Sequence, residues 1–548
     1  MVGESEFMNE HKIAVIGWDA ATLDVILPLL GTGALPNLER LMSRGGWGPL
    51  TSTLHPISPT AWASFMTGKN PGKHGVFDFV GLNQDGNFRV MSGGALRAET
   101  LWTRLSKAGR RVAVVNVPMT FPPEPVNGFI VAGMDAPRQD RASTYPPDLS
   151  GELRRLFKDY RVGVRARARI RTSVARFAPR YVEKLCDLVQ LRGEVACYLL
   201  ARQPVDFLMV VFTATDRAQH ALGHLLADGV SPDDDIGRVY RACDDALGRI
   251  LNKLDDDWTV IVMSDHGACA YSRVFELGTW LAMRNWLRLR PVRRRDALVV
   301  PLYPVRRRLA RLMGRSARTS SGLEQFMNRV VWEKTRAFAM GAFGSIYINT
   351  RERFPGGIVE PGQAYQAIIE QIKGELLSVR DPETGKPIVN AVHRAADVYH
   401  GPFAHLAPDL LVETTDDYFV RNNLDHFEDR LTFPAGRYRG RSLAHTGKHT
   451  SAGILVAAGA PFTPGGDRSG AHIMDIAPTV LYLSGLPVPL DVDGKPLDGW
   501  LDPAYCQAHP VNWTASQPKD GVELGELAYN QQEAALIEER LRDLGYMG

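Results

Sequence analysis

The chain has few cysteines for its 548 residues: Cys186, Cys197, Cys243, Cys269 and Cys506, an odd number with no CxxC pair. That points to free thiols in a reducing compartment rather than a disulfide framework. No run approaches the roughly 20 apolar residues of a membrane span. Neither sign of charge dominates: Lys and Arg number 64 against 61 Asp and Glu, a net +3. That balance gives no global case for binding a nucleic acid polymer or a membrane. Internal repeats and low-complexity segments are also missing. The first residues, MVGESEF, lack the basic-then-apolar pattern of a signal peptide and read as a tag ahead of Met8. A cytoplasmic location is therefore expected, although a trimmed export signal would leave the same sequence.

What is there is ordinary for a soluble globular protein, with 45% apolar and 23% charged residues. The length suffices for a large core in two or more domains. Apolar runs alternate with amphipathic segments. In WTVIVMSDHG, Val260–Met263 is an uninterrupted apolar run, the pattern of a strand buried on both faces. It ends in Asp265-His266-Gly267, two metal-capable side chains where an open α/β sheet places its sites. Residues 12–19, KIAVIGWD, close on Asp19. Residues 206–212, DFLMVVF, lead into a segment carrying Asp216 and His220, four apart and so on one face of a helical turn. His449 precedes the apolar run 453–457 by a short turn.

Ser58 and Thr60 lie in a Pro-rich turn before a helical segment, Ala61–Met66. A hydroxyl there is either an N-cap or a nucleophile whose phosphate the helix N-terminus receives. Residues 68–74, GKNPGKH, are not a P-loop: the spacer is short, a proline interrupts it, and His follows the lysine.

Further strands are expected at 111–117, 128–132, 345–349 and 408–413, and helices around 37–42, 233–254, 362–378 and the C-terminal tail. The alternation predicts an α/β fold with a large, mostly parallel central sheet and helices on both faces. Residues 275–335 break it with Arg293–Arg295 and Arg306–Arg308 and read as an inserted cap. The basic stretch 288–318 suits a solvated arm, an anionic substrate or peripheral contact with a membrane surface. The expected division is 1–11 as tag and chain start, 12–274 and 336–505 as one discontinuous α/β core, 275–335 as cap, and 506–548 as a tail with a helix.

Asp19, Asp216 with His220, Asp265 with His266, and His449 all fall at strand ends, with a hydroxyl from Ser58 or Thr60. Three carboxylates on one rim raise one another's pKa unless cations sit among them. Mixed Asp/His donors without thiolates suit zinc or manganese, and two such ions would clamp the entering and departing oxygens of a phosphoryl transfer.

The order and spacing of VIGWD, SPTAWASFMTG, DRAQH, SDHG and GKHTSAG resemble the alkaline phosphatase superfamily, in its branch of type I phosphodiesterases and nucleotide pyrophosphatases. MTGKNPGKHG, DIAPTVLYLSGLP and DGKPL extend the likeness over residues 12–500. The resemblance implies an alkaline-phosphatase-like fold whose inserted cap is helical, and two divalent ions, zinc first and manganese second. Asp19, Asp265, His266 and Ser58 would hold one ion; Asp216, His220 and His449 would hold the other. Ser58, ten residues before Gly68, is the indicated nucleophile. Thr60 is the runner-up, because proline follows Ser58 directly instead of standing two places after it. Trp62 stands where the sulfatases of the superfamily need an arginine, which speaks against sulfate esters.

The implied activity is hydrolysis of a phosphodiester or pyrophosphate in a small or lipid-linked molecule through a phosphoryl-serine. A phosphomonoesterase, phosphomutase or phosphoglycerol-type transferase on the same metal core is the alternative. A non-catalytic metal-binding regulatory module is the second alternative. Oligomeric state is left open.

Overall fold

A computed structural model describes residues 11–546 except 84, 139, 159, 162, 165–173, 291–321, 423–429, 436, 439–440, 443–444, 517–528 and 544–545. Its centre is a nine-stranded sheet. In chain order the strands are β1 (Lys12–Trp18), β2 (Gly46–Thr51), β3 (Val112–Val115), β4 (Gly128–Val131), β5 (Thr144–Tyr145), β6 (Phe207–Phe212), β7 (Trp258–Met263), β8 (Ala452–Ala458) and β9 (Ala471–His472). Across the sheet they run β9-β2-β8-β7-β1-β6-β3-β4-β5. The middle is parallel: β1 pairs with β7 on one side and β6 on the other, and β3 continues to β4. Only β8, against β2 and β7, and β5, against β4, run antiparallel.

The Val/Ile-rich runs are the central strands because both of their faces are covered. Along β1, Ala14 and Ile16 join the core on one face, while Ile13 and Val15 join the core on the other. The large, mostly parallel sheet between helical layers is the architecture expected from the alternation.

The strands at 345–348 and 410–414 lie elsewhere. With Ala337–Ala339 and Val389–Arg394 they form a separate four-stranded antiparallel sheet. A third hydrophobic cluster forms there, and Phe275, Trp280, Trp286, Leu323 and Phe326 are buried in it. The described ends of 275–335 thus pack into the body. Arg293–Arg295 and Arg306–Arg308 lie outside the described residues, as does most of a second arginine-rich stretch, RVGVRARARIR at 161–171. Among the described residues, no helix is long and apolar enough to cross a membrane.

Candidate active site

Because β7, β1 and β6 are adjacent and parallel, their C-terminal ends share one edge of the sheet. Asp19 follows β1 directly. Asp265 and His266 follow β7. Asp216 and His220 lie on helix α1 (Ala214–Leu222), which begins two residues after β6. His449 arrives by a different route. The strand Gly447–Thr450 pairs antiparallel with Gly267–Ala270, placing His449 opposite Ala268. Glycines allow this approach: a Cβ on Gly447 would lie 2.2 Å from the Gln219 carbonyl oxygen, and one on Gly267 2.1 Å from that of Ala452. The chain beyond β2 supplies Ser58, and the Ser52 hydroxyl donates to the Asp265 carbonyl at 2.5 Å.

Ser58 is buried at the start of the helix Ser58–Thr67, whose N-cap position is Ile57. The N-cap reading of Ser58 therefore fails, and its hydroxyl instead faces His266 Nε2 at 3.2 Å. Thr60 Oγ1, two residues on, is buried and has no hydrogen-bond partner among the described residues.

The expected ligands converge in two overlapping groups. Asp19, Asp265 and His266 offer ligand atoms within 4.8 Å of one another, and so do Asp216, His266 and His449. His220 belongs beside the second group, its Nε2 lying 2.8 Å from His449 Nε2 and 3.2 Å from Asp216 Oδ1. The His266 and His449 rings stack with centroids 3.6 Å apart.

Several features fit divalent cations. His449 Nδ1 lies 2.8 Å from the Pro56 carbonyl and His266 Nδ1 3.1 Å from the Gly267 carbonyl. A carbonyl only accepts, so each Nδ1 donates and each Nε2 keeps its lone pair for the pocket. Asp19 Oδ1 and Asp265 Oδ2 are buried and face the same imidazole nitrogen, His266 Nε2, at 3.9 and 3.2 Å. Ala20, between the clusters, adopts a left-handed backbone (φ 58°) and turns its amide toward Asp265 Oδ1 at 3.2 Å. Such strain is a mark of functional sites.

The electrostatics agree. Burial, then the neighbouring charges of Asp265 and Asp216, hold Asp19 well above the usual carboxylate range. Burial pushes Asp265 up to about 7. Burial also acts on Asp216, but the charges and hydrogen bonds of His220 and His449 outweigh it and hold that carboxyl well below its ordinary value. Burial lowers His266 and His449 to about 4, leaving both imidazoles neutral at physiological pH, the form a metal needs.

A pH dependence follows. Below pH 7 the Asp19–Asp265 pair retains protons that an incoming ion must displace. Metal affinity at that cluster should therefore fall by about tenfold per pH unit for each proton displaced. Asp216 and His449 are already in their ligand forms over that range. Chelator-competition titrations at pH 6 and pH 8 would show weaker metal binding at the lower pH; equal affinities at both would contradict this.

The model of the type I phosphodiesterase / nucleotide pyrophosphatase family matches residues 13–432. The chain belongs to this family. No curated protein matches it significantly in sequence. Among solved structures, phosphonoacetate hydrolase from Sinorhizobium meliloti 1021, in complex with phosphonoformate, aligns with a TM-score of 0.52 at 14% identity, over 87% of this chain and 95% of that one. Wild-type alkaline phosphatase PafA aligns with a TM-score of 0.52 at 15% identity, covering 90% and 99%. These likenesses show the fold, and with the family they make this phosphodiesterase-family chain a phosphoester hydrolase of the alkaline phosphatase superfamily.

Two groups at the site carry no sequence signal. Phe343, itself left-handed (φ 56°), stacks on His449 at 4.8 Å between centroids. Tyr546, near the end of the chain, reaches Asp216. Neither follows a strand or belongs to a spaced polar pattern. The family match also stops short of His449 and Tyr546.

Proposed function

We propose that this chain hydrolyses a phosphodiester or pyrophosphate bond in a nucleotide-like or lipid-linked small molecule, with Ser58 as nucleophile. The observation that carries the reading is the place of the Ser58 hydroxyl, 3.2 Å from the imidazole that both ligand groups share. Asp19, Asp265, His266 and Ser58 would hold one divalent ion, and Asp216, His220 and His449 the other. Zinc is the first candidate and manganese the second. Bound there, the ions would lower the pKa of the serine hydroxyl and offset charge on the phosphoryl oxygens.

The residues of the chain do the rest. Ser58 Oγ gives up its proton to solvent and bonds to phosphorus as the ester or anhydride oxygen opposite departs and takes a proton from solvent. The positive end of its helix supports the added negative charge. Water then breaks the bond between phosphorus and Ser58 Oγ, restoring the hydroxyl and releasing the phosphoryl product. The five free thiols are consistent with a reducing, cytoplasmic setting.

Assay of bis-p-nitrophenyl phosphate against p-nitrophenyl phosphate, with zinc or manganese supplied, tests the substrate class. Faster turnover of the diester is expected. Faster turnover of the monoester would assign the site to phosphomonoesterase or phosphoryl-transfer chemistry. No turnover of either substrate with metal bound would make the chain a non-catalytic metal-binding module.

A further inference from the structure

A helix late in the chain and the residues after it reach the candidate site. Helix α2 (Gln531–Asp543) buries Ile537 and Leu541 in the same cluster as the four-stranded sheet. Ahead of it, the Tyr529 hydroxyl donates to the Asp135 carbonyl at 2.6 Å, and its ring stacks on Phe121. The Arg540 guanidinium donates to the carbonyls of Met134 and Ala136, the latter at 2.8 Å. Past the helix, the Tyr546 amide donates to the Leu541 carbonyl at 3.0 Å.

The Tyr546 side chain is buried against the ligands. Its ring lies 4.7 Å from that of Phe79, 5.3 Å from that of His220 and 5.8 Å from that of His449. Its hydroxyl donates to Asp216 Oδ2 at 2.9 Å and also interacts with Ser58. The other carboxylate oxygen, Oδ1, faces His220 Nε2 and His449 Nε2 at 3.2 and 3.1 Å.

We propose that Tyr546 is a positioning residue for the second metal site: it holds Asp216 Oδ2 and so presents Oδ1 to the ion, making the segment after α2 a wall of the active site. The inference rests on the two-metal reading. A carboxylate free to rotate would present either oxygen or chelate with both, and a hydroxyl fixed on one of them removes that choice. Outer partners of this kind are worth about 10–100-fold in metal affinity or activity. The anchoring of α2 fits a fixed component of the site, because the tail is held by apolar burial and by hydrogen bonds from both Tyr529 and Arg540.

The test is zinc titration of the full, chelator-stripped chain against a competing chromophore, for the wild type, Tyr546→Phe and Asp216→Asn. Tyr546→Phe keeps the ring and loses only the hydroxyl. It should bind the second ion about tenfold more weakly, with a smaller effect at the first site, whose candidate ligand Ser58 the hydroxyl also touches. The zinc-loaded variant should lose kcat with little change in KM. Asp216→Asn should lose the second ion, identifying which site is affected. A chain stopped after Asp543, which removes Tyr546 and leaves the helix, should show the same loss as Tyr546→Phe. Wild-type affinity at both sites in Tyr546→Phe would overturn the inference alone, and so would a rise in turnover, which would make Tyr546 a plug. A wild type that binds only one ion would overturn the two-metal reading and this inference together.

Discussion

Ser58→Ala should lower phosphodiester turnover by at least about 10³-fold, the scale on which removal of a covalent nucleophile acts, while the protein keeps its bound metal. The hydroxyl would contribute one donor to one site; Asp19, Asp265 and His266 remain to hold that ion. The variant also costs the fold little, since Ser58 is not the cap of its helix and its side chain bonds within the pocket. Thr60→Ala separates the two hydroxyls. Thr60 Oγ1 has no hydrogen-bond partner among the described residues to lose, so that variant should turn over near the wild-type rate. Steady-state hydrolysis of bis-p-nitrophenyl phosphate, with metal content measured on the same samples, decides it. Full activity in Ser58→Ala and loss in Thr60→Ala would move the nucleophile to Thr60.

Asp265→Asn should cost about 10³-fold in turnover through loss of the first ion, equivalent to several kcal/mol of transition-state charge stabilisation. The substitution is nearly isosteric and can still accept from the Ala20 amide, so the turn after β7 keeps its shape. What disappears is the charge on Oδ2, the buried oxygen that faces His266 Nε2 at 3.2 Å. Burial already favours the neutral form of this carboxyl, with a pKa of about 7. An amide mimics that form, so the metal-free variant should melt no lower than the metal-free wild type. The rise in melting temperature that zinc gives the wild type should shrink, because one site no longer couples binding to folding. Thermal melts with and without zinc, run beside the activity assay, check both halves. A variant that keeps wild-type metal content and rate would remove Asp265 from the site.

Much of this site could be read from the chain because its parts follow one grammar. Three apolar runs, ending near residues 18, 212 and 263, are each followed by a carboxylate, and parallel pairing of β7, β1 and β6 puts those ends on one rim. Apart from the family resemblance of GKHTSAG, His449 is legible only as a histidine beside a strand. What brings it to His266 is the pairing of Gly447–Thr450 with Gly267–Ala270, and no local pattern encodes that partner. The same limit explains 345–348 and 410–414. Short apolar runs report burial but not the sheet that buries them, and these two strands pair in a sheet of their own. Ser58 illustrates a different ambiguity: a serine before a helical segment satisfies the N-cap pattern, yet Ile57 occupies that position. Tyr546 was not legible at all, because a tyrosine after an amphipathic helix resembles any aromatic that closes a terminus.

Crystals of the zinc-loaded chain, with anomalous scattering recorded on both sides of the zinc edge, test the central claim most directly. Two peaks are expected in one pocket, one among Asp19, Asp265 and His266 and the other among Asp216, His220 and His449, with Ser58 Oγ adjoining the first. A single peak, or zinc bound away from these residues, would contradict the two-metal site.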